Sequence, residues 1–265
     1  MKKIKTLILR TAGTNCDVET AYAFVKAGAE AELVHINVLK DKKGALDKYH
    51  ILAIPGGFTY GDDIASGKIL ANEMKSHLGK ELLKFVSRGK LVIGICNGFQ
   101  VLVKMGLLPA VNMKDGFKME ATLSLNDSGC FIDKWVYLKK NETRCVWTCA
   151  MPDVINLPIA HAEGKFMPCD GKLLDSLKKN GQIVFRYTDD TGTLFGSPHT
   201  PNGSVYDIAG ICDPSGRILG MMPHPERHIT YLQHPNWRRM SDKKDMLGVG
   251  LGIFREGVKF ARNNL

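Results

Sequence analysis

Residues 90–100 read KLVIGICNGFQ, a strand-length apolar run that leads directly into a segment with helical periodicity. The same alternation precedes it in the chain. Strand-like segments occupy residues 4–9, 33–38 and 51–54, and helix-like segments occupy residues 17–27 and 71–87. We expect the first helix to be capped by Asn15 or Asp17 and to end near Gly28. Alternating strands and helices predict βαβ units, and therefore an α/β fold whose mainly parallel central sheet carries helices on both faces.

The second half of the chain is richer in strand-like segments separated by turn signals. They occupy residues 131–138, 143–149, 155–160, 182–187, 206–213 and 217–222. Such a series predicts that the central sheet is completed by an added antiparallel portion. Residues 247–263 are predicted to form a closing helix. Because no linker or internal repeat divides the sequence, residues 1–265 are predicted to form one domain.

Composition indicates a soluble globular protein. The 265 residues are 44% hydrophobic and 24% charged, which is close to the usual mixture. The longest apolar runs are strand-sized, so no segment approaches the roughly 20 residues that a transmembrane helix needs. The first residues lack the apolar core and cleavage site of a signal peptide. We therefore expect a cytoplasmic protein without a membrane span.

The charged and sulfur-containing residues argue against two other classes of protein. The formal net charge is +9, but the basic residues are dispersed and form no nucleic-acid-binding motif. A basic surface would instead favour phosphorylated substrates or an acidic partner. The seven cysteines include no CxxC pair, which indicates reduced thiols. Cys145 and Cys149 are interpreted as strand or core residues, because no second Cys/His pair completes a zinc spacing, and no metal site is predicted.

Cys96 lies between the apolar strand and the helix in a G-x-C-x-G pattern. This is the thiol form of a nucleophile elbow, in which Gly94 and Gly98 allow close backbone approach around a strained turn. The N-terminus of the following helix would favour the thiolate. The alternative is that Cys96 is a small buried hydrophobic residue. The choice depends on whether the chain supplies a base.

A candidate base follows another predicted strand, where residues 222–227 read MPHPER. In an extended backbone His224 and Glu226 lie on the same face, two residues apart. A carboxylate that orients an imidazole beside a cysteine forms a Cys-His-acid triad. Taken alone, His224 could be a turn residue and Glu226 a solvated charge paired with Arg227. In combination with the elbow, the triad is the favoured interpretation.

A glycine-rich loop follows the strand at residues 51–54. Residues 54–63 read IPGGFTYGDD, and such a loop can aim a backbone N–H at a developing oxyanion. It is not a P-loop, because no Gly-Lys-Ser/Thr follows. Taken alone the loop indicates little, since Pro-Gly-Gly is also a common turn.

Together these motifs resemble those of a known family. GICNGFQ (residues 94–100), PHPER (223–227) and PGGFTYGD (55–62) occur in the order and spacing of class I, triad-type glutamine amidotransferases. Within that class, PIAHAEG (158–164), PNGS (201–204) and IAGI (208–211) are similar to the glutaminase subunits of phosphoribosylformylglycinamidine synthase, from purine biosynthesis. The resemblance spans nearly the whole chain, and it implies the flavodoxin-like fold of class I glutamine amidotransferases.

The resemblance also implies roles for individual residues. The catalytic residues would be the nucleophile Cys96, the general acid/base His224 and its orienting carboxylate Glu226. The oxyanion hole would combine the N–H of Asn97 with that of Phe58 or Gly57, a choice that stays open. Glutamine would be held by Gln100, His161 and Glu163.

The family further implies a division of labour. This chain would hydrolyse glutamine without a cofactor or metal and would pass ammonia to a synthase subunit, accompanied by a small accessory subunit. ATP, magnesium and formylglycinamide ribonucleotide would bind to the partner synthase. Three departures from the family are the loop DDIASG (residues 62–67), Ala162, where the family often has glycine, and the segment at residues 233–239. That segment is interpreted as either a synthase contact or a surface decoration. The competing functions are a stand-alone γ-glutamyl hydrolase or amidase, and a non-catalytic regulatory subunit.

Overall fold

The computed structural model describes residues 2–111, 116–239 and 246–265. Its strands account for most of the predicted sheet. In chain order they are β1 (Lys5–Arg10), β2 (Glu30–His35), β3 (Ile51–Ile54), β4 (Leu91–Ile95), β5 (Ala121–Ser124), β6 (Ile132–Lys140), β7 (Val154–His161), β8 (Lys165–Pro168), β9 (Ile183–Thr188), β10 (Ile208–Cys212) and β11 (Ile218–Met221). The helices are α1 (Asp17–Lys26), α2 (Ile36–Asp41), α3 (Lys68–Glu73), α4 (Gly79–Ser87), α5 (Asn97–Met105), α6 (Gly171–Lys179) and α7 (Leu251–Asn264).

Nine strands form one sheet in the order β2-β1-β3-β4-β11-β10-β9-β6-β7. The first five strands of that order are mutually parallel, and the last four continue the sheet in antiparallel pairs. Every residue of β3, β4 and β11 is buried, as expected for strands covered on both faces. The predicted fold class, a mainly parallel sheet with an antiparallel addition, is confirmed.

Two helix pairs cover the sheet. Helix α1 packs against α7, where the rings of Phe24 and Phe254 meet edge to face at 5.0 Å. Helix α3 packs against α5, the helix that follows the elbow. The predicted helix at residues 71–87 is divided, because a π-helical turn at Met74–Leu78 joins α3 to α4. Among the described helices none is both long and apolar enough to cross a membrane.

Three local predictions are wrong for identifiable reasons. Residues 143–149 form turns rather than a strand, and Trp147 is buried there with its indole N–H donating to the carbonyl of Arg217 at 3.0 Å. Strand β2 ends at His35, because the side chain of His35 caps α2 by accepting from the N–H of Asn37 at 3.3 Å. Helix α1 is preceded by Cys16 as its N-cap, rather than by Asn15 or Asp17.

Strands β5 and β8 and helices α2 and α6 were not predicted. Strands β5 and β8 form a separate two-stranded antiparallel sheet. Helix α6 begins where the side chain of Asp170 accepts from the N–H of Leu173 at 2.8 Å, an ordinary N-cap. The segment at residues 233–239 contains a short 3₁₀ turn, Trp237–Arg239, and the residues that follow it, 240–245, lie outside the described residues.

Candidate active site

Cys96 occupies a strained turn between β4 and α5. Its φ of 51° and ψ of −106° are unfavourable for a residue with a side chain. The two flanking glycines make the turn possible, because a Cβ on Gly98 would lie 1.9 Å from the carbonyl oxygen of Ile54, and one on Gly94 would lie 2.6 Å from the carbonyl oxygen of Gly98. The Cys96 thiol lies 3.6 Å from the carbonyl oxygen of Ala160. The sequence-predicted elbow is therefore present in the fold.

The candidate base reaches Cys96 through the neighbouring strand. Strand β11 pairs with β4 in parallel register, with Met221 opposite Ile95, so the residues after both strands emerge at the same edge of the sheet. His224 follows β11, and its backbone N–H donates to the carbonyl of Pro158 at 2.8 Å. Its Nδ1 lies 2.7 Å from Oε1 of Glu226, in the 3₁₀ turn Pro225–Arg227. The structure thus brings the three predicted triad residues together.

The electrostatics of His224 match those of a base held between two acids. Burial of the imidazole disfavours its charged form, but the charges of Glu226 and Cys96 outweigh burial and raise the pKa of His224 well above its usual value. Nε2 of His224 is buried and, among the described residues, forms no hydrogen bond of normal geometry. An unpaired Nε2 close to the thiol fits a catalytic contact that tightens when substrate binds.

The raised pKa predicts how stability depends on pH. Histidine in an unfolded chain has a pKa of about 6.5, whereas folded His224 holds its proton to higher pH. Its contribution to stability is therefore fully present below about pH 6.5 and is lost as the pH rises through the folded pKa. We expect the difference in unfolding free energy between the wild-type chain and Glu226→Gln, measured in urea across this range, to shrink towards alkaline pH. A difference that grows with pH would contradict a protonated His224.

The glycine-rich loop is braced by the segment before α1. The N–H of Cys16 donates to the carbonyl of Gly56 at 3.2 Å, and the N–H of Phe58 donates to the carbonyl of Gly13 at 2.9 Å. The N–H of Phe58 is thus occupied in this conformation. The N–H groups of Gly57 and Asn97 have no backbone acceptor within the described part of the chain. This arrangement favours Gly57 over Phe58 as the partner of Asn97, and the oxyanion hole itself stays a prediction.

Gly56 is the position where the glycine-rich loop packs closely against the imidazole of His224. A Cβ there would lie 2.8 Å from Cε1 of His224 and 3.2 Å from Sγ of Cys16. We expect Gly56→Ala to fold and to lose about 10²-fold in glutaminase rate, because a displacement of about 1 Å in a catalytic group can cost that much. Gly171→Ala is the matched control, since a Cβ there meets nothing within 4 Å. Equal glutamate release by the two variants would show that the imidazole position is not set by this contact.

Two of the predicted glutamine-binding residues contact each other. Nε2 of Gln100 donates to the carbonyl oxygen of Glu163 at 2.6 Å. The carboxylate of Glu163 accepts from the N–H of Ser66 at 3.1 Å and from Nζ of Lys104 at 3.1 Å. These bonds join the loop before α3 and the loop after β7 to each other and to helix α5. Gln100 and Glu163 therefore connect the walls of the site, and their contact with glutamine stays a prediction.

The third predicted glutamine-binding residue, His161, is uncharged at neutral pH. Burial, together with the nearby charge of His224, lowers the pKa of His161 to about 4. Nδ1 of His161 lies 3.1 Å from Oδ1 of Asn126, and its Nε2 is buried without a hydrogen-bond partner among the described residues. A neutral imidazole can hydrogen-bond a substrate group but supplies no positive charge for a carboxylate.

Sequence reasoning missed two residues of the site. Lys104 lies one helical turn beyond Gln100, a spacing that places both on one face of α5 and could have revealed it. Cys16 lies with its Sγ 4.0 Å from Nδ1 of His224 and 3.2 Å from Nη2 of Arg227. No local pattern indicates this contact, because the two segments are distant in the chain.

Comparison with known proteins agrees with this geometry. Residues 3–261 match the model of the CobB/CobQ-like glutamine amidotransferase domain. The chain is 49% identical to the phosphoribosylformylglycinamidine synthase subunit PurQ of Dehalococcoides mccartyi, over 99% of both chains. It is 46% identical to the PurQ subunit of Methanococcus maripaludis, over 88% of this chain and 86% of that one.

Solved structures give the same result. A chain of the PurLQS structure from Thermotoga maritima superposes with a TM-score of 0.74 at 31% identity, covering 98% of this chain and 99% of that one. A glutamine amidotransferase from the same organism shares the fold, with a TM-score of 0.57 at 14% identity over 98% of this chain and 99% of that one. The chain therefore belongs to the CobB/CobQ-like glutamine amidotransferases, and within them to the family of PurQ subunits of phosphoribosylformylglycinamidine synthase.

Proposed function

We propose that this chain is the glutaminase subunit of a phosphoribosylformylglycinamidine synthase, which hydrolyses glutamine and delivers the ammonia to a synthase subunit. The observation that carries the proposal is the elbow cysteine Cys96 beside the buried pair of His224 and Glu226, whose facing atoms are 2.7 Å apart. The high identity to PurQ subunits over full length supports the substrate and the pathway.

The first half of the reaction forms a thioester. The thiolate of Cys96 attacks the side-chain carboxamide carbon of glutamine, and the carbonyl oxygen becomes an oxyanion facing the N–H groups of Gly57 and Asn97. Removing one donor from such a hole costs about 10²–10³ in rate. Protonated His224 gives its Nε2 proton to the leaving nitrogen, and ammonia departs as the tetrahedral intermediate collapses to a γ-glutamyl thioester.

The second half hydrolyses the thioester. Neutral His224 takes a proton from water, which attacks the thioester carbonyl, and Cys96 leaves as the thiolate while glutamate is released. Glu226 stabilises the imidazolium that forms at this step, because its carboxylate contacts Nδ1. The residues of this chain thus supply the nucleophile, the proton carrier and its counter-charge.

The ammonia is consumed on a partner. The sequence contains no P-loop, so we place ATP, magnesium and formylglycinamide ribonucleotide on the synthase subunit, with a small accessory subunit completing the complex. A relative of this chain occurs in the PurLQS structure of Thermotoga maritima, which supports such an assembly. The formal charge of +9 would also suit an acidic partner surface.

The decisive experiment is a glutaminase assay of the purified chain with and without its cognate synthase, combined with labelling by a glutamine-analogue electrophile and peptide mapping. We expect label on Cys96 and a higher rate of glutamate release in the complex, because partner binding can complete the oxyanion loop. Full activity of the isolated chain would favour a stand-alone amidase. Absence of both label and turnover in the complex would favour a non-catalytic regulatory subunit.

A further inference from the structure

A second thiol lies behind the candidate triad, on the side of the imidazole that faces away from the reaction. Cys16, His224 and Glu226 each offer one ligand atom, and these atoms lie within 4.8 Å of one another. All three side chains are buried. One carboxylate oxygen of the cluster, Oε2 of Glu226, is buried without a hydrogen-bond partner among the described residues. The cluster therefore contains a buried acceptor that the mechanism does not use.

The donor set suits a thiophilic divalent cation. Thiolate, imidazole and carboxylate are all zinc ligands, with Zn–S of about 2.3 Å and Zn–N of about 2.0–2.1 Å. Tetrahedral coordination at these lengths places sulfur and nitrogen about 3.6 Å apart, and Sγ of Cys16 lies 4.0 Å from Nδ1 of His224. A movement of a few tenths of an ångström would therefore suffice for this pair.

We infer that Cys16, Nδ1 of His224 and the Glu226 carboxylate form an inhibitory site for a soft divalent cation such as Zn²⁺ or Cd²⁺. Binding releases the Cys16 thiol proton and the Nδ1 proton to solvent, and no oxidation state changes. The cation takes the place of the proton that Nδ1 shares with Glu226. The remaining imidazole proton stays on Nε2, but a neutral metal-bound imidazole is a weaker acid than the imidazolium it replaces, so His224 gives that proton less readily to the leaving nitrogen. The site acts by removing the imidazolium form of His224, on which thioester formation depends.

The first test measures binding without reference to activity. The exposed cysteines Cys130, Cys149 and Cys169 are replaced by serine, and Cys96→Ala removes coordination through the opposite nitrogen of His224. Cd²⁺ is titrated and followed by its thiolate charge-transfer absorbance. We expect one equivalent to bind, and the signal to disappear when Cys16→Ser is added.

Matched variants determine the ligands. Adding Cys212→Ser instead, another buried cysteine, should leave the Cd²⁺ signal in place. Adding His224→Ala should weaken binding beyond the roughly 10–100-fold typical of outer-shell partners, because it removes a direct ligand. An unchanged signal without Cys16 would overturn the site. If Cys16→Ser fails to fold in a thermal melt, the His224→Ala titration decides, and unchanged affinity there would overturn it equally.

The second test measures inhibition and rests on the proposed function, whereas the binding test does not. In the complete complex with synthase, Zn²⁺ should inhibit glutamine-dependent turnover, and a chelator should reverse the inhibition. The Cys16→Ser complex should need at least about tenfold more Zn²⁺ than the Cys212→Ser complex. Equal sensitivity of the two would refute inhibition through Cys16. A chain that binds Cd²⁺ through Cys16 but never hydrolyses glutamine would refute the proposed function while leaving the metal site standing.

Discussion

Cys96→Ala should abolish glutamine-dependent synthesis by the reconstituted complex while leaving synthesis from added ammonium salt largely intact. The nucleophile of a triad is irreplaceable, and its removal from a serine protease costs about 10⁶ in kcat. The substitution removes one sulfur atom from a turn whose geometry depends on Gly94 and Gly98, so the fold should persist. Glutamate and the amidine product are followed separately with both nitrogen sources.

The comparison between the two nitrogen sources separates the sites. Cys212→Ser, a change at another buried cysteine, is the matched control and should retain both reactions. Loss of the ammonia-dependent reaction in a Cys96→Ala chain that is folded and still associated would contradict the separation of glutaminase and synthase sites. Retained glutamine-dependent synthesis would remove Cys96 from its role as nucleophile.

Glu226→Gln should fold and lose about 10⁴-fold in glutaminase rate, which is the cost of the corresponding amide substitution in a serine protease triad. The amide can still hydrogen-bond the imidazole, but it cannot stabilise the imidazolium. If its NH₂ group faces Nδ1 of His224, it also imposes the wrong tautomer. The Glu226 side chain is fully buried and its carboxylate contacts Nδ1 at 2.7 Å, so solvent cannot compensate.

A surface carboxylate provides the control for this change. Glu142 is exposed and follows β6 at the end opposite the residues that pair with His161, so Glu142→Gln should retain the wild-type rate. Steady-state glutamate release and a thermal melt are measured for both variants. A Glu226→Gln chain that turns over nearly normally would remove Glu226 from the triad, and one that fails to fold would assign it a structural role instead.

The parts of the fold that sequence predicted well are those encoded locally. Strand β3 has the predicted bounds, because it is a short apolar run followed by proline, and β4 coincides with the apolar run that leads into Cys96. The strand predicted at residues 143–149 is wrong because Trp147 is buried under a turn and not in a sheet. It fills the space between helices, with its ring 6.5 Å from that of Phe24. A single sequence cannot distinguish burial in a sheet from burial under a loop.

The candidate site also contains residues that local patterns reveal and residues that only the structure reveals. His224 and Glu226 were found because they are two residues apart, and residues two apart in an extended backbone lie on one face. The structure brings the two side chains together. Cys16 was missed because its partner comes from a segment far away in the chain, whereas the spacing of Lys104 from Gln100 on α5 could have revealed Lys104. The choice between Gly57 and Phe58 depended on a hydrogen bond from Phe58 to Gly13, which no spacing rule expresses.

Strand β11 lies between β4 and β10 in the sheet, although it is the last of the described strands to be synthesised. Until the ribosome has produced residues 218–221, one edge of β4 has no neighbour, and a partial chain presents an unpaired apolar strand. The candidate base His224 emerges only three residues after that strand ends at Met221. Insertion of β11 therefore joins the two parts of the sheet and brings the candidate base to the end of β4 in one step, so a partial chain that ends before residue 218 lacks both.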